Sequence, residues 1–371
     1  MSNSKTYNST LGLLLIFLCM CPLASAASSD RAGGVLTGEH GDKSVLPGTC
    51  RSCHRGMAMA ITGEEKPCLD CHDGDYKRSL VVQKGLLKTS GRLELKDVEA
   101  DLRKPYNHPV LTVSGVHYKT ETLPEEVVNA ARHSECVDCH EPHVLEKLRP
   151  FKGIKGKRVG NFVVEIDQEY QLCYKCHATS ANLPAWSTDK SLEFKTTNPS
   201  FHPVEGEGAN AYVISLREPY SARKERPSDI STITCSDCHG SDDPNGPRGP
   251  HGSNYRGLLK YNYEMEDGRP ESYYAYALCY GCHDRASILG NESFAFHAQH
   301  IEGNGAQGGT SCYTCHDAHG SSRYQYLIRF NEDVVEPNAD GKLEYKAEGV
   351  ASRHGSCLLS CHGVEHNPKS Y

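Results

Sequence analysis

Seven segments of this chain carry two cysteines three residues apart with a histidine directly after the second: Cys50/Cys53/His54, Cys68/Cys71/His72, Cys136/Cys139/His140, Cys173/Cys176/His177, Cys235/Cys238/His239, Cys279/Cys282/His283 and Cys312/Cys315/His316. An eighth, Cys357 to His362 (CLLSCH), has one more residue between its cysteines. Only 37% of the 371 residues are hydrophobic, so the apolar core of a chain this long would be thin. Something held by the cysteines and histidines must fill the interior.

C-x-x-C-H is the attachment motif of haem c. Residues three apart on a helical turn share a face, so two sulfurs reach the two vinyl groups on one edge of a porphyrin. The adjacent histidine then brings its imidazole to the iron as proximal ligand. Paired C-x-x-C units also make zinc sites, but zinc does not need a histidine at the same offset in every pair. Positions i and i+4 also lie on one helical face, which makes Cys357, Cys361 and His362 a working eighth site. Cysteine usage agrees: seven sites use 14 of the 18, and Cys19 and Cys21 leave with the leader described next, so only Cys357 and Cys361 remain. The competing reading of that last pair is free thiols or a lone disulfide.

Residues 1–26 read as a secretory signal, with Lys5 for positive charge, Leu11 to Met20 as an apolar stretch too short to span a bilayer, and Ala24-Ser25-Ala26 for cleavage. Cys19 and Cys21 raise a lipoprotein alternative, opposed by the bulky residues before them. No later segment is a transmembrane candidate. The expected location is periplasmic, outer-membrane-associated or extracellular. Export would ordinarily make cysteines pair as disulfides, but the spacing favours eight covalent haems.

The segments recur in related surroundings. "CVDCHEPH", "CSDCHGSDDPNGPRGPHGS" and "CYTCHDAHGSS" each carry a further histidine downstream (His143, His251, His319), and NHPV, FHPV and FHAQH place histidines upstream (His108, His202, His297, His300). These segments resemble the multihaem cytochromes c with doubled CXXCH motifs, known from metal- and sulfur-respiring bacteria, over roughly residues 35 to 371. The resemblance implies iron held by two histidines and haems close enough to pass electrons along a chain. Twelve histidines remain beyond the eight proximal ones. The distal set it implies is His40, His108, His143, His202, His251, His319, His366 and one of His297 and His300, with His117, His133 and His354 in reserve. A histidine three residues past a proximal one is too close in sequence to reach the far side of the same iron, so it should serve a neighbouring haem. In the first pair of sites Met57 occupies the slot of His143 and His319, which raises His/Met ligation there as an alternative to packing.

Four haem-pair modules are expected after the leader, at residues 27–80, 81–195, 196–290 and 291–371. The fold class is a multihaem cytochrome c with low regular secondary structure, short helices at the haem sites, few short strands and a haem-packed core. A longer helix is expected at Pro124–Arg132, strand character at 160–166 and 212–216, and loops at 242–252 and 303–309. The basic stretch 152–158 (KGIKGKR) reads as a solvated loop. A formal charge of −7 argues against nucleic acid and favours basic redox partners. These would be a membrane or periplasmic donor and an outer-membrane or extracellular acceptor, with self-assembly into a filament as a further option. The function expected is electron transfer without a catalytic site. The alternative is a reductase of nitrite, hydroxylamine or a sulfur oxyanion, which needs one iron with an open position.

Overall fold

Most attachment segments fold as single helical turns. The computed structural model describes residues 36–371 except 62–64, 89–93, 112–132, 160–161, 179–182, 184–186, 211, 221–231, 304–307 and 350–352. The leader, the expected helix at Pro124–Arg132 and His117 fall outside those residues. Cys136–Cys139, Cys235–Cys238 and Cys312–Cys315 are four-residue α-helices. Cys68, Cys173 and Cys279 lie in the helices Lys66–Leu69, Glu169–His177 and Ala277–Tyr280. Cys50 lies in the 3₁₀ turn Thr49–Ser52.

One turn cannot hold itself together in water, so each is pinned from outside. Glu135 with Asp138, and Thr234 with Asp237, form capping boxes that satisfy free amides at the helix start. At the seventh site Asp267 does this from a distance, accepting from Ser311 N (2.8 Å) and Thr314 Oγ1 (2.6 Å). His140, His239 and His316 stand just past their turns in extended backbone, with φ of −128°, −94° and −116°. That change of direction carries the imidazole off the helix.

The strands among the described residues are short: β1 (Tyr106–Asn107), β2 (Lys155–Val159), β3 (Phe162–Glu165), β4 (Ser200–Phe201), β5 (Gly252–Ser253), β6 (Gly320–Ser321), β7 (Val335–Glu336), β8 (Glu344–Ala347), β9 (Gly355–Cys361) and β10 (Val364–Ser370). Two antiparallel pairs repeat one design. β1 pairs with β5 through Asn107↔Gly252, and β4 with β6 through Phe201↔Gly320. Each pair sets an upstream histidine beside a downstream one: His108 N donates to His251 O (3.2 Å) and His202 N to His319 O (3.0 Å). Gly252 and Gly320 follow those downstream histidines because nothing larger fits. A Cβ at Gly252 would lie 1.7 Å from Asp101 O, and one at Gly320 would lie 2.0 Å from Glu193 O.

β1–β5 joins the expected second module to the third, and β4–β6 the third to the fourth. Thr37 N, bonded to His143 O (2.8 Å), joins the first to the second. Residues Leu36–Tyr371 accordingly form one compact unit. Apolar clusters are small, as the composition requires: Ala275, Tyr276, Tyr280 and Ile301 form one, and Leu46, Val81 and Leu87 another.

Three local expectations change. The basic stretch is not all loop, because β2 takes up Lys155–Val159 and pairs with β3, which lies inside the strand expected at 160–166. Residues 212–216 form a turn with a single bridge, Leu216↔His283, instead of a strand. The eighth attachment segment lies in β9 rather than on a helix.

Candidate haem-binding sites

Opposite each of the first seven motif histidines stands a second imidazole. Ring centres are 6.1 Å apart for His54/His143, 6.3 Å for His72/His40, 6.2 Å for His140/His251 and 6.3 Å for His177/His108. They are 6.3 Å apart for His239/His319, 6.4 Å for His283/His202 and 6.4 Å for His316/His297. An eighth pair, His300/His366, is 6.4 Å apart. A metal–imidazole bond of about 2 Å on each side, plus roughly 1.1 Å from nitrogen to ring centre, gives a spacing of about 6.2 Å. The pairs therefore fit an iron held on both faces, and the cysteine pairs beside them fit covalent attachment.

Second nitrogens are mostly anchored to the protein. Nδ1 of His40 contacts Pro142 O (2.9 Å), His54 Met59 O (2.7 Å), His108 Pro250 O (2.5 Å), His140 Pro150 O (2.9 Å), His239 Gly257 O (2.8 Å) and His316 Tyr326 O (2.9 Å). As donors to carbonyls these Nδ1 atoms fix the tautomer and leave Nε2 with its lone pair for a metal. Burial keeps several rings neutral: it pushes His72, His239 and His251 down to about 4 and His297 to about 3, with the facing imidazole adding to the effect. His319 differs. Against the pull of burial, Asp317 and Glu193 raise its pKa, and its Nδ1 lies 3.2 Å from Glu193 Oε2 and 3.4 Å from Asp317 Oδ1.

The downstream histidines His143, His251 and His319 do not face the immediately adjacent motif. Each faces the motif two sites earlier, while His40, His108 and His202 face the second, fourth and sixth. His297 and His300 are both used, where only one was expected. Met57 is 93% exposed, and the first motif histidine faces His143 instead. His354 is placed by a hydrogen bond from Nδ1 to Tyr371 O (3.1 Å), and His133 is buried beside the third site. His362, expected as the eighth proximal ligand, stands outside the pairs: its Nε2 lies 2.9 Å from Asp267 Oδ2.

Consecutive sites meet through their cysteines. Thiol hydrogen bonds join Cys68 to Cys136, Cys173 to Cys235 and Cys279 to Cys312, raising the pKa of Cys136, Cys173 and Cys312. Between these junctions the second cysteines feel one another electrostatically. Burial first, then Cys53, pushes Cys71 up to about 11. Burial, then Cys282, brings Cys238 to about 12, and burial, then Cys357 and Cys361, brings Cys315 to about 12. Burial likewise raises Cys139 to about 11, with Cys176 within range. Direct contacts follow the same order: Arg55 pairs with Asp70, Lys175 Nζ donates to Asp138 O (2.7 Å) and Ser236 N to Glu169 Oε1 (2.7 Å).

The motifs themselves were legible in the cysteine spacing, but the junctions between them were not. The roles of Asp267, Glu193 and Asp317 were not, since lone carboxylates far from the motifs leave no sequence signal. Cysteine pairs directly ahead of histidines that face a second imidazole are an arrangement that fits the class of multihaem c-type cytochromes. Residues 156–326 match the family model described as outer membrane cytochrome MtrC/MtrF-like, domains II/IV. No curated protein and no solved structure matches the chain. No helix among the described residues is long and apolar enough to cross a membrane.

Proposed function

We propose that this chain binds eight haems c and transfers electrons along them outside the cytoplasm, at the outer membrane or beyond. The observation that carries the reading is the set of eight imidazole pairs at 6.1–6.4 Å. Bound haem c supplies an iron that exchanges one electron between ferrous and ferric states. The chain's own residues do the rest. In each pair one imidazole is held by a backbone carbonyl, at His40, His54, His108, His140, His202, His239, His300 and His316, which keeps that ring in place in either oxidation state and rearrangement small. The paired imidazoles also occupy the positions a substrate would need, which favours a carrier over a reductase of nitrite, hydroxylamine or a sulfur oxyanion.

Cysteine contacts between consecutive sites support a single file in sequence order, first to eighth. Donor and acceptor would then be redox proteins meeting opposite ends of that file, or other copies of this chain in a filament. Family likeness over 156–326 supports the outer-membrane or extracellular setting, and the net charge of −7 favours basic partner surfaces. Titrating the oxidised holoprotein with nitrite, hydroxylamine and sulfite tests the carrier reading. The expected result is an unchanged low-spin spectrum with no consumption of any of the three. A stoichiometric high-spin haem that shifts on addition would support the reductase instead.

A further inference from the structure

The eighth attachment site breaks the rule that the histidine after the second cysteine binds the iron. We propose that His366 and His300 are its axial ligands, and that His362 is a structural residue held by Asp267. This rests on the octahaem reading above and assigns one of its sites.

Backbone geometry takes His362 away. Cys361 pairs with Val364 across the β9–β10 hairpin, so His362 and Gly363 are its two-residue loop. Their φ values are +49° and +75°, and positive φ at both central residues is what a type I′ hairpin turn requires. The motif histidines of the third, fifth and seventh sites leave in extended backbone; His362 is spent on reversing the chain. Its chemistry is also committed. The nitrogen bonded to protein is Nε2, facing Asp267 Oδ2 at 2.9 Å, whereas the other anchored histidines bond through Nδ1. Asp267 is itself fixed, because its other oxygen caps the helix of the seventh site.

His366 is placed where His362 is not. It pairs with Leu359 across the hairpin, and paired residues project from the same face. Strand periodicity of two puts Cys357, Leu359 and Cys361 on one face as well. His366 thus rises between the two cysteines, the position an adjacent histidine takes on a helical turn. Its ring faces His300 at 6.4 Å. His300 Nδ1 contacts its own helix at Phe296 O (2.8 Å), which leaves Nε2 for the metal. Packing of Phe294 against Tyr371, with ring centres 4.6 Å apart, fastens the region around His300 to the end of β10.

The test uses the full mature holoprotein with His366→Met, His362→Met and His362→Ala, read by haem count, low-temperature spin resonance and the thioether-to-iron charge-transfer band. The expected results are a new thioether band and one altered haem of eight in His366→Met, and an unchanged set of eight low-spin haems in both His362 variants. A thioether band in His362→Met, or loss of one low-spin haem in His362→Ala, overturns the assignment. So does an unaltered spectrum in His366→Met. If His366→Met fails to mature, His362→Ala decides: eight low-spin haems support the proposal and seven overturn it. Fewer than eight low-spin haems in the unmutated protein would count against the octahaem reading itself, a separate failure.

Discussion

His239 and His319 face each other with ring planes 4° apart and centres 6.3 Å apart, and His319 has two carboxylates, Glu193 and Asp317, at its outer nitrogen. A carboxylate accepting from Nδ1–H pushes electron density onto the imidazole and stabilises the ferric state of a bound iron. This combination of planar alignment and charge marks the fifth site as electronically distinct from the others.

Glu193→Gln is therefore expected to raise the potential of one haem by on the order of tens of millivolts, leaving the others in place. A spectroelectrochemical titration of the variant against the parent checks it. Asp317 remains beside His319, so ligation should persist.

Ring orientation predicts two spectral classes. The first, third and fifth pairs lie within 23°, 27° and 4° of parallel, while those of the second, fourth, sixth, seventh and eighth sites are tilted by 59°, 62°, 59°, 47° and 80°. Near-parallel imidazoles split the iron d orbitals and give rhombic spin-resonance signals; crossed ones give strongly anisotropic signals. Spin quantitation of the oxidised protein should find both classes, with the anisotropic one in the majority.

Gly252→Ala should be among the most damaging single changes outside the motifs. Its new Cβ would press on the Asp101 carbonyl at 1.7 Å, so β5 must move and take His251 away from His140. The expected cost is about 2–4 kcal/mol, seen as a lower denaturation midpoint together with one haem losing its low-spin signature. An equal loss of stability with all haems unchanged would mean that His251 is not fixed through this contact.

Acid should weaken the fold from below neutrality. An unfolded histidine takes its proton near 6.5, whereas burial holds His72, His239 and His251 down to about 4. Between those values the unfolded chain binds more protons, so stability falls as pH drops from about 6.5, and the lowered carboxyl pKa values of Glu193 and Asp317 carry the loss on below about 4. Denaturant midpoints at pH 7, 5.5 and 4 should decline in that order.

What could be seen in the sequence was whatever the chemistry keeps local. In the proposed sites two sulfurs must reach one porphyrin edge and an imidazole the iron behind it, and that demand is written in adjacent residues such as Cys136, Cys139 and His140. Distal partners are set by tertiary pairing instead. His143 faces His54, and His251 faces His140, only because short strand pairs and the Thr37–His143 bond lay distant segments side by side. The last site misleads for a related reason. Adjacency suggested His362, but Gly363 after it lets the chain reverse there, and the alternation of Cys357, Leu359 and Cys361 follows a strand rather than a helix.

The most direct test of the whole account is the intact mass of the mature, exported protein, compared with its polypeptide mass and its haem content by alkaline pyridine assay. The account predicts polypeptide plus eight covalently attached haems. A mass equal to the bare polypeptide, or to a chain with its cysteines joined as disulfides, would contradict it.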